Sequence, residues 1–234
     1  MKTVILAGGL GTRISEETQL KPKPMIEIGG KPILWHIMKI FSHFGFNEFI
    51  ICCGYKGEII KDFFKNSTEP WSIELVDTGL ETMTGGRIKK IEEFLENQSF
   101  FLTYGDDLKA VNISKLLQFH NKQKKLVTLT AVQPPGRFGI LDIKGNEVIN
   151  LSEKPPGDGN WINGGYYVLE PAIFDYIHND FDIWETNPLQ KIIDKNQVSA
   201  FKYNGTYQPM DTINDKQKLQ KMWDSNNAYW KSWK

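Results

Sequence analysis

The sequence predicts an α/β fold: a Rossmann-like, mixed but mostly parallel sheet flanked by helices, with a small β-rich annex. Three observations predict it. Four short, continuously apolar runs, Thr3–Ala7, Phe49–Cys53, Phe100–Tyr104 and Leu126–Val132, have the length and the β-branched or aromatic content of fully buried strands. Helical periodicity lies between them, and alternating strand and helix gives parallel strands joined by right-handed crossovers. After Pro134 the texture changes to shorter strand-like pieces separated by turns.

In chain order, the first strand runs into the loop Gly8-Gly9-Leu10-Gly11-Thr12-Arg13. Residues 32–44 read as a helix, with Ile33, Ile37, Ile40 and Phe44 on one stripe. Residues 57–64 read as a second helix. Asn112 is a candidate N-cap for a third, running to about His120. Ile140–Ile143 and Val148–Leu151 flank Lys144-Gly145-Asn146 and predict a hairpin. Strands are expected at Gly164–Leu169 and Ser199–Tyr203, and a last helix from about Thr212. No linker, repeat or low-complexity stretch interrupts the 234 residues. They read as one domain, with a first part of about residues 1–132 and a second of about 133–234.

Lys plus Arg and Asp plus Glu number 28 each, so the chain has no net charge to attract nucleic acid or an anionic membrane. Any anion site must be built locally. The apolar run at the N-terminus is too short for a membrane span or a signal segment. Cys52 and Cys53 are adjacent, which suits neither an ordinary disulfide nor a zinc site. They read as small buried hydrophobes in a protein of the reducing cytoplasm. His36, His43, His120 and His178 form no catalytic or metal constellation and read as core or helix-surface residues.

In open α/β sheets ligands bind beyond the carboxyl ends of the strands, where the Gly8–Arg13 loop lies. Glycines there let backbone approach a phosphate closely. The dinucleotide pattern G-x-G-x-x-G fails, since Ile14 stands at its last position, and no P-loop is present. A tight turn without a ligand is the plain alternative. Arg13, a permanent cation, ends the loop and suits phosphate oxygens. Lys23 stands between Pro22 and Pro24, which restrict its backbone and lower the entropic cost of presenting its ammonium.

The stretch Leu6–Arg13 followed by Lys21–Met25 resembles the signature of the sugar-1-phosphate nucleotidyltransferases. Glu27–His36, Phe49–Gly57, Asp77–Gly79, Met83–Arg87, Thr103–Asp106, Pro135–Gly139, Ile162–Gly165 and Gln208–Thr212 resemble the glucose-1-phosphate cytidylyltransferases among them. The likeness covers nearly the whole chain. It departs from the family in a shortened segment between Phe64 and Pro70, which bears on subunit packing and on a substrate lid. It departs again at Asp107, where the family usually has Gly, so that an extra carboxylate stands near the metal site or acceptor pocket.

The resemblance implies transfer of a cytidylyl group from CTP to a sugar 1-phosphate, with glucose 1-phosphate the leading acceptor and Mg2+ as cofactor. It implies that residues 1–132 bind nucleotide, and that the rest binds sugar phosphate and carries the last helix. Arg13 and Lys23 are the implied catalytic residues. Leu6, Ala7, Gly8, Gly9, Leu10, Gly11, Thr12, Arg13, Lys23, Thr82, Gly86, Arg87 and Gly105 are the implied nucleotide contacts, with Arg87 reaching the ring or phosphate. Asp106 and Asp211 match the metal ligands, although an isolated Asp more often caps or turns a chain. Gly139, Glu153, Lys154, Asn163 and Gly164 match the sugar-phosphate site. For Gly85-Gly86 a hairpin turn is the bland alternative. Trp223, Trp230 and Trp233 share a helical face that either folds back on the domain or forms an interface in a homo-oligomer. Other readings stay open: another nucleotide or acceptor, or a non-catalytic regulatory subunit binding nucleotide sugar. Intact Arg13, Lys23, Asp106 and Asp211 argue against the last.

Overall fold

Strands that are apolar on both faces must be covered on both faces, and that requirement organises the molecule. We describe a computed structural model of the protein, which describes residues 1–136 and 138–233. The chain begins β1 (Thr3–Leu6), α1 (Ser15–Thr18), β2 (Glu27–Ile28), β3 (Lys31–Pro32), α2 (Ile33–His43), β4 (Glu48–Cys53) and α3 (Gly57–Lys65). It continues through β5 (Ser72–Asp77), α4 (Thr84–Lys89), β6 (Phe100–Tyr104), β7 (Asp107–Lys109), α5 (Ile113–Gln123) and β8 (Val127–Val132). Then come β9 (Gly139–Lys144), β10 (Glu147–Glu153), β11 (Ile162–Leu169), α6 (Asn187–Asp194), β12 (Val198–Tyr203), β13 (Tyr207–Pro209) and α7 (Ile213–Asp224).

Seven strands make one sheet in the order β12-β8-β11-β6-β1-β4-β5. All neighbours pair in parallel except β11, which runs antiparallel between β6 and β8 and makes the sheet mixed. Successive residues of the central strands alternate between two cores. Ile5, Ile51 and Phe101 face α2, α5 and α7, while Val4, Ile50 and Leu102 face Ile88, Trp184 and Ile192. Strands from both parts of the chain join this sheet. Cys52 and Cys53 are free and buried in it, and burial pushes the Cys53 thiol up to about 11. Asn112 caps α5 as expected, accepting from the Lys115 amide at 2.9 Å.

The hairpin after Pro134 is β9–β10. Leu141 opposite Leu151 and Ile143 opposite Val148 leave its apolar side chains exposed. The shortened segment is six residues, 66–71, between α3 and β5. Trp71 closes it, packing on Phe49 at 5.7 Å and Phe64 at 6.2 Å between ring centroids. No helix among the described residues is long and apolar enough to cross a membrane.

The tryptophan-rich tail folds back on the domain, but α7 ends at Asp224, so Trp230 and Trp233 follow the helix and do not share its face as expected. Trp223, Trp230 and Trp233 surround His36 of α2 at centroid distances of 5.0, 6.1 and 6.0 Å. His36 Nε2 donates to the Ile28 carbonyl at 2.8 Å, and Nδ1 accepts from the Trp230 indole at 3.4 Å, so the ring is neutral. Burial pulls its pKa down to about 4. The unfolded chain takes up this proton from pH 6.5 downward, while the folded protein resists it until about 4. Stability is therefore expected to fall across that window, by up to roughly 3 kcal/mol at 1.36 kcal/mol per unit. Urea melts from pH 7 to 4 should show a shallower decline for His36→Gln. An equal decline would remove His36 as the cause.

Candidate active site

Parallel β1 and β6 are neighbours, so their carboxyl ends bring the glycine loop beside Gly105-Asp106. The Gly105 amide donates to the Leu6 carbonyl at 3.0 Å. Beyond these ends opens a cleft of about 420 Å³. It is lined by Leu6, Ala7, Gly8, Gly9, Leu10, Gly11, Thr12 and Arg13, by Lys23 and Pro24, by residues 80–84, and by Arg87, Tyr104 and Asp106. Gly86 lies behind the wall in α4, and Gly105 stands between Tyr104 and Asp106.

Asp106 and Asp211 meet here because of a very short ladder. Antiparallel β7 and β13 set Asp107 opposite Pro209, which places the residue before one and the segment after the other side by side. The Lys23 ammonium bridges the two carboxylates, 2.9 Å from Asp106 Oδ2 and 2.7 Å from Asp211 Oδ1. Arg13 Nη1 donates to the other Asp211 oxygen at 2.5 Å. Burial pulls the Lys23 pKa down, but Asp106 and Asp211 more than offset this and hold it above its ordinary value. Asp215, in the first turn of α7, accepts from the Asp211 amide at 3.3 Å and from the Thr212 amide at 3.1 Å, completing a capping box that aims Asp211.

These residues suit a divalent cation. The two carboxylates already converge on one positive charge, that of Lys23. Among the described residues no cluster of three or more His, Cys, Asp or Glu is poised to hold a metal. Two hard oxygen donors, with phosphate oxygens and waters to complete the shell, match how Mg2+ binds beside phosphorylated substrates.

Asp107 differs from its expected role. Its side chain turns into the core and accepts from Lys109, which is fully buried over the Tyr166 ring at 4.4 Å. Burial raises the Asp107 pKa and lowers that of Lys109. The pair underpins β7 rather than facing the cleft.

Arg87 also differs. Its Nη1 donates to the Cys53 carbonyl at 3.1 Å, the Thr78 hydroxyl at 2.5 Å and the Gly79 carbonyl at 2.8 Å. Its Nη2 donates to the carbonyls of Gly8 at 3.1 Å and Leu80 at 3.2 Å. These protein oxygens engage the terminal nitrogens that were expected to reach the ring or phosphate, so Arg87 clamps the loop and the opposite wall from beneath. A Cβ on Gly8 would stand 2.2 Å from Arg87 Nη1, which is why glycine is needed there. Gly85-Gly86 is no hairpin turn: both lie in α4, and a Cβ on Gly86 would stand 2.6 Å from Asp180 Cα. Replacing Arg87 by Lys leaves several buried carbonyls unpaired, at about 1–3 kcal/mol each. The expected result is a lower Tm and a nucleotide KM raised more than tenfold, read by thermal melting and steady-state kinetics.

The acceptor-side residues stand apart from the cleft. Gly139 and Glu153 pair with each other at the base of the β9–β10 hairpin. Lys154, at φ 47°, ion-pairs with Glu153 at 3.2 Å, both exposed. Asn163 and Gly164 lie on β11. Arg137, within the Pro135–Gly139 motif, lies outside the described residues. Among the described residues no hydrogen bond or ion pair joins Glu153 or Lys154 to Arg13, Lys23, Asp106 or Asp211. Sequence reasoning assigned no role to Leu80, Thr84 or Tyr104, and saw Pro24 only as a restraint on Lys23; all four line the cleft. Tyr104, one residue from Gly105, was reachable from its place at a strand end. Glu185, which holds Tyr104, gave no local signal.

The nucleotidyl transferase family matches residues 2–231, nearly the whole chain. The chain belongs to the nucleotidyl transferase family. This nucleotidyl transferase is 48% identical to the glucose-1-phosphate cytidylyltransferase of Salmonella typhimurium, with all of both chains covered. It is 38% identical to a probable glucose-1-phosphate cytidylyltransferase of Bacillus subtilis, again over all of both. The Salmonella alignment spans 256 positions against 234 residues in this nucleotidyl transferase, in keeping with a shortened segment. Among solved structures, HddC from Yersinia pseudotuberculosis superposes with a TM-score of 0.76 at 28% identity, covering 95% of this chain and 99% of that one. An apo UDP-glucose pyrophosphorylase shares the fold, with a TM-score of 0.75 at 17% identity over 96% and 98% of the two chains.

Proposed function

We propose that the protein is a glucose-1-phosphate cytidylyltransferase. The observation that carries this reading is Lys23 bridging Asp106 and Asp211 under the glycine loop. Full-length likeness to relatives of that name supplies the substrates. An oxygen of the sugar phosphate attacks the α-phosphorus of CTP, the bond from that phosphorus to the β-phosphate oxygen breaks, and pyrophosphate leaves. The nucleophile is already an anion, so no general base is needed.

The obstacle is repulsion, about 4 kcal/mol for two unit charges at 4 Å and an effective dielectric of 20. Positioning and electrostatic stabilisation therefore dominate this chemistry. Gly8–Thr12 hold the nucleotide, and Arg13 and Lys23 meet its phosphates. Thr82, Gly86, Arg87 and Gly105 shape the base-side wall. Mg2+ held by Asp106 and Asp211 supplies further charge neutralisation at the phosphate oxygens when bound. Gly139, Glu153, Lys154, Asn163 and Gly164 receive the sugar phosphate, giving a nucleotide half of about residues 1–132 and an acceptor half beyond it.

The test is pyrophosphate release with CTP, UTP, dTTP, ATP or GTP against a panel of sugar 1-phosphates in Mg2+. CTP with glucose 1-phosphate is expected to be fastest; a faster pair replaces the assignment. The exposed apolar face of the β9–β10 hairpin supports a homo-oligomer, expected to dissociate in Leu141→Lys/Leu151→Lys by light scattering. Free buried cysteines suit residence in a reducing cytoplasm.

A further inference from the structure

A line of polar side chains crosses the sheet from the nucleotide wall to the acceptor strand. Thr84 donates to Glu185 Oε2 at 2.9 Å, and the Tyr104 hydroxyl donates to Glu185 Oε1. Tyr104 and Tyr167 share a hydrogen bond of 3.4 Å between their hydroxyls. Asn163 Nδ2 donates to the Tyr167 hydroxyl, while Asn163 Oδ1 accepts from the Gly165 amide at 2.9 Å.

This line has only one polarity. A carboxylate can only accept, and an amide nitrogen can only donate. Each phenol has one hydrogen, so each accepts from one side and donates to the other. Donation therefore runs from Asn163 to Tyr167 to Tyr104 to Glu185. Burial pushes the Tyr167 phenol up to about 12 and raises that of Tyr104 as well, so both keep their hydrogens at neutral pH. The Gly165 amide, which must donate, demands the same orientation of Asn163 from the other end. One Nδ2–H of Asn163 is then left for a ligand.

We propose that Glu185 is a positioning residue for the acceptor site: through Tyr104 and Tyr167 it fixes the Asn163 amide so that an N–H donor, not a carbonyl, meets the sugar phosphate. The proposal rests on the acceptor reading of Asn163. A carboxylate on the nucleotide side thereby sets what the acceptor side recognises.

Glu185→Gln preserves shape and reverses the line. The Thr84 hydroxyl accepts from the Trp184 amide at 2.9 Å and turns its own hydrogen to residue 185, so the substituted amide keeps its oxygen on Thr84 and its Nε2 donates to Tyr104. Tyr104 must then donate to Tyr167, and Tyr167 to residue 163, pulling the Asn163 oxygen away from Gly165. The KM for the sugar 1-phosphate is expected to rise about tenfold, the worth of one ligand hydrogen bond, while kcat and the KM for CTP stay within about threefold. A second readout needs no substrate. Asp at position 163 accepts from both Tyr167 and Gly165, so Glu185→Gln/Asn163→Asp should melt above Glu185→Gln alone, although Asn163→Asp by itself should lower Tm. Additive melting shifts, or an unchanged acceptor KM in Glu185→Gln, overturn the proposal. Lack of wild-type turnover with every sugar 1-phosphate is a separate result that overturns the proposed function, and with it the acceptor reading.

Discussion

Lys23→Ala is expected to lower kcat by about 10²–10³-fold, the cost of removing one preorganised charge donor from a transition state. The same substitution should tighten binding of a divalent ion in the absence of substrate. Both effects come from one geometry. The ammonium lies 2.9 and 2.7 Å from Asp106 and Asp211, and so competes with a metal for the same two carboxylates. Remove it, and among the described residues Arg13 is the one ion-pair partner left, at the outer edge of the pair. Two carboxylates brought together without that neutralising charge repel, and they recruit a cation more strongly. Steady-state kinetics with saturating CTP give the first readout. Titration with Mn2+ followed by paramagnetic resonance gives the second. Loss of turnover together with weaker Mn2+ binding would show that Lys23 supports the metal rather than competing with it.

Trp230→Ala is expected to destabilise the protein by about 3–5 kcal/mol, as large-to-small changes of a buried Trp do. Trp230 has no exposed surface, packs edge-on against His36, and gives it the hydrogen bond that keeps the ring neutral. That loss is a large share of a typical stability of 5–15 kcal/mol. The urea midpoint should fall sharply at an unchanged slope. The damage should also reach the cleft through the preceding residue. The Tyr229 hydroxyl donates to the Leu108 carbonyl at 2.8 Å and accepts from the Gln208 amide at 3.0 Å, bracing the two strands that unite Asp106 and Asp211. Tyr229→Phe should therefore lower turnover with a much smaller change in stability. Equal turnover in Tyr229→Phe and wild type would confine the tail to a structural role.

The central strands were legible because each is apolar on both faces, which only a covered sheet tolerates. Phe100–Tyr104 lies where the hydrophobic run predicts it. β5 escaped because Ser72-Ile73-Glu74-Leu75-Val76-Asp77 is an edge strand, half exposed, with polar residues interrupting its apolar ones. β7 and β13 are three residues each and take their meaning only from pairing with one another, which no local pattern reports. α4 was masked by glycines, poor helix formers that are present because Asp180 packs too close for a Cβ. The phosphate end of the cleft was readable from residue type: Arg13, Lys23 and the glycine loop. The resemblance supplied the two aspartates. What Arg87 and Glu185 hold was not readable, since their partners are carbonyls and phenols fixed by tertiary packing.

The ladder between β7 and β13 also orders events during synthesis. A chain emerging from the ribosome exposes the glycine loop, Lys23 and Asp106 early, but Asp211 only after α5, β8, β11 and β12 have followed. Until then Asp106 has Lys23 beside it but no second carboxylate, so the pair that the proposed function assigns to the metal is incomplete. That pair is completed in one step, when the second carboxylate is delivered by a strand that, among the described residues, pairs with β7 alone.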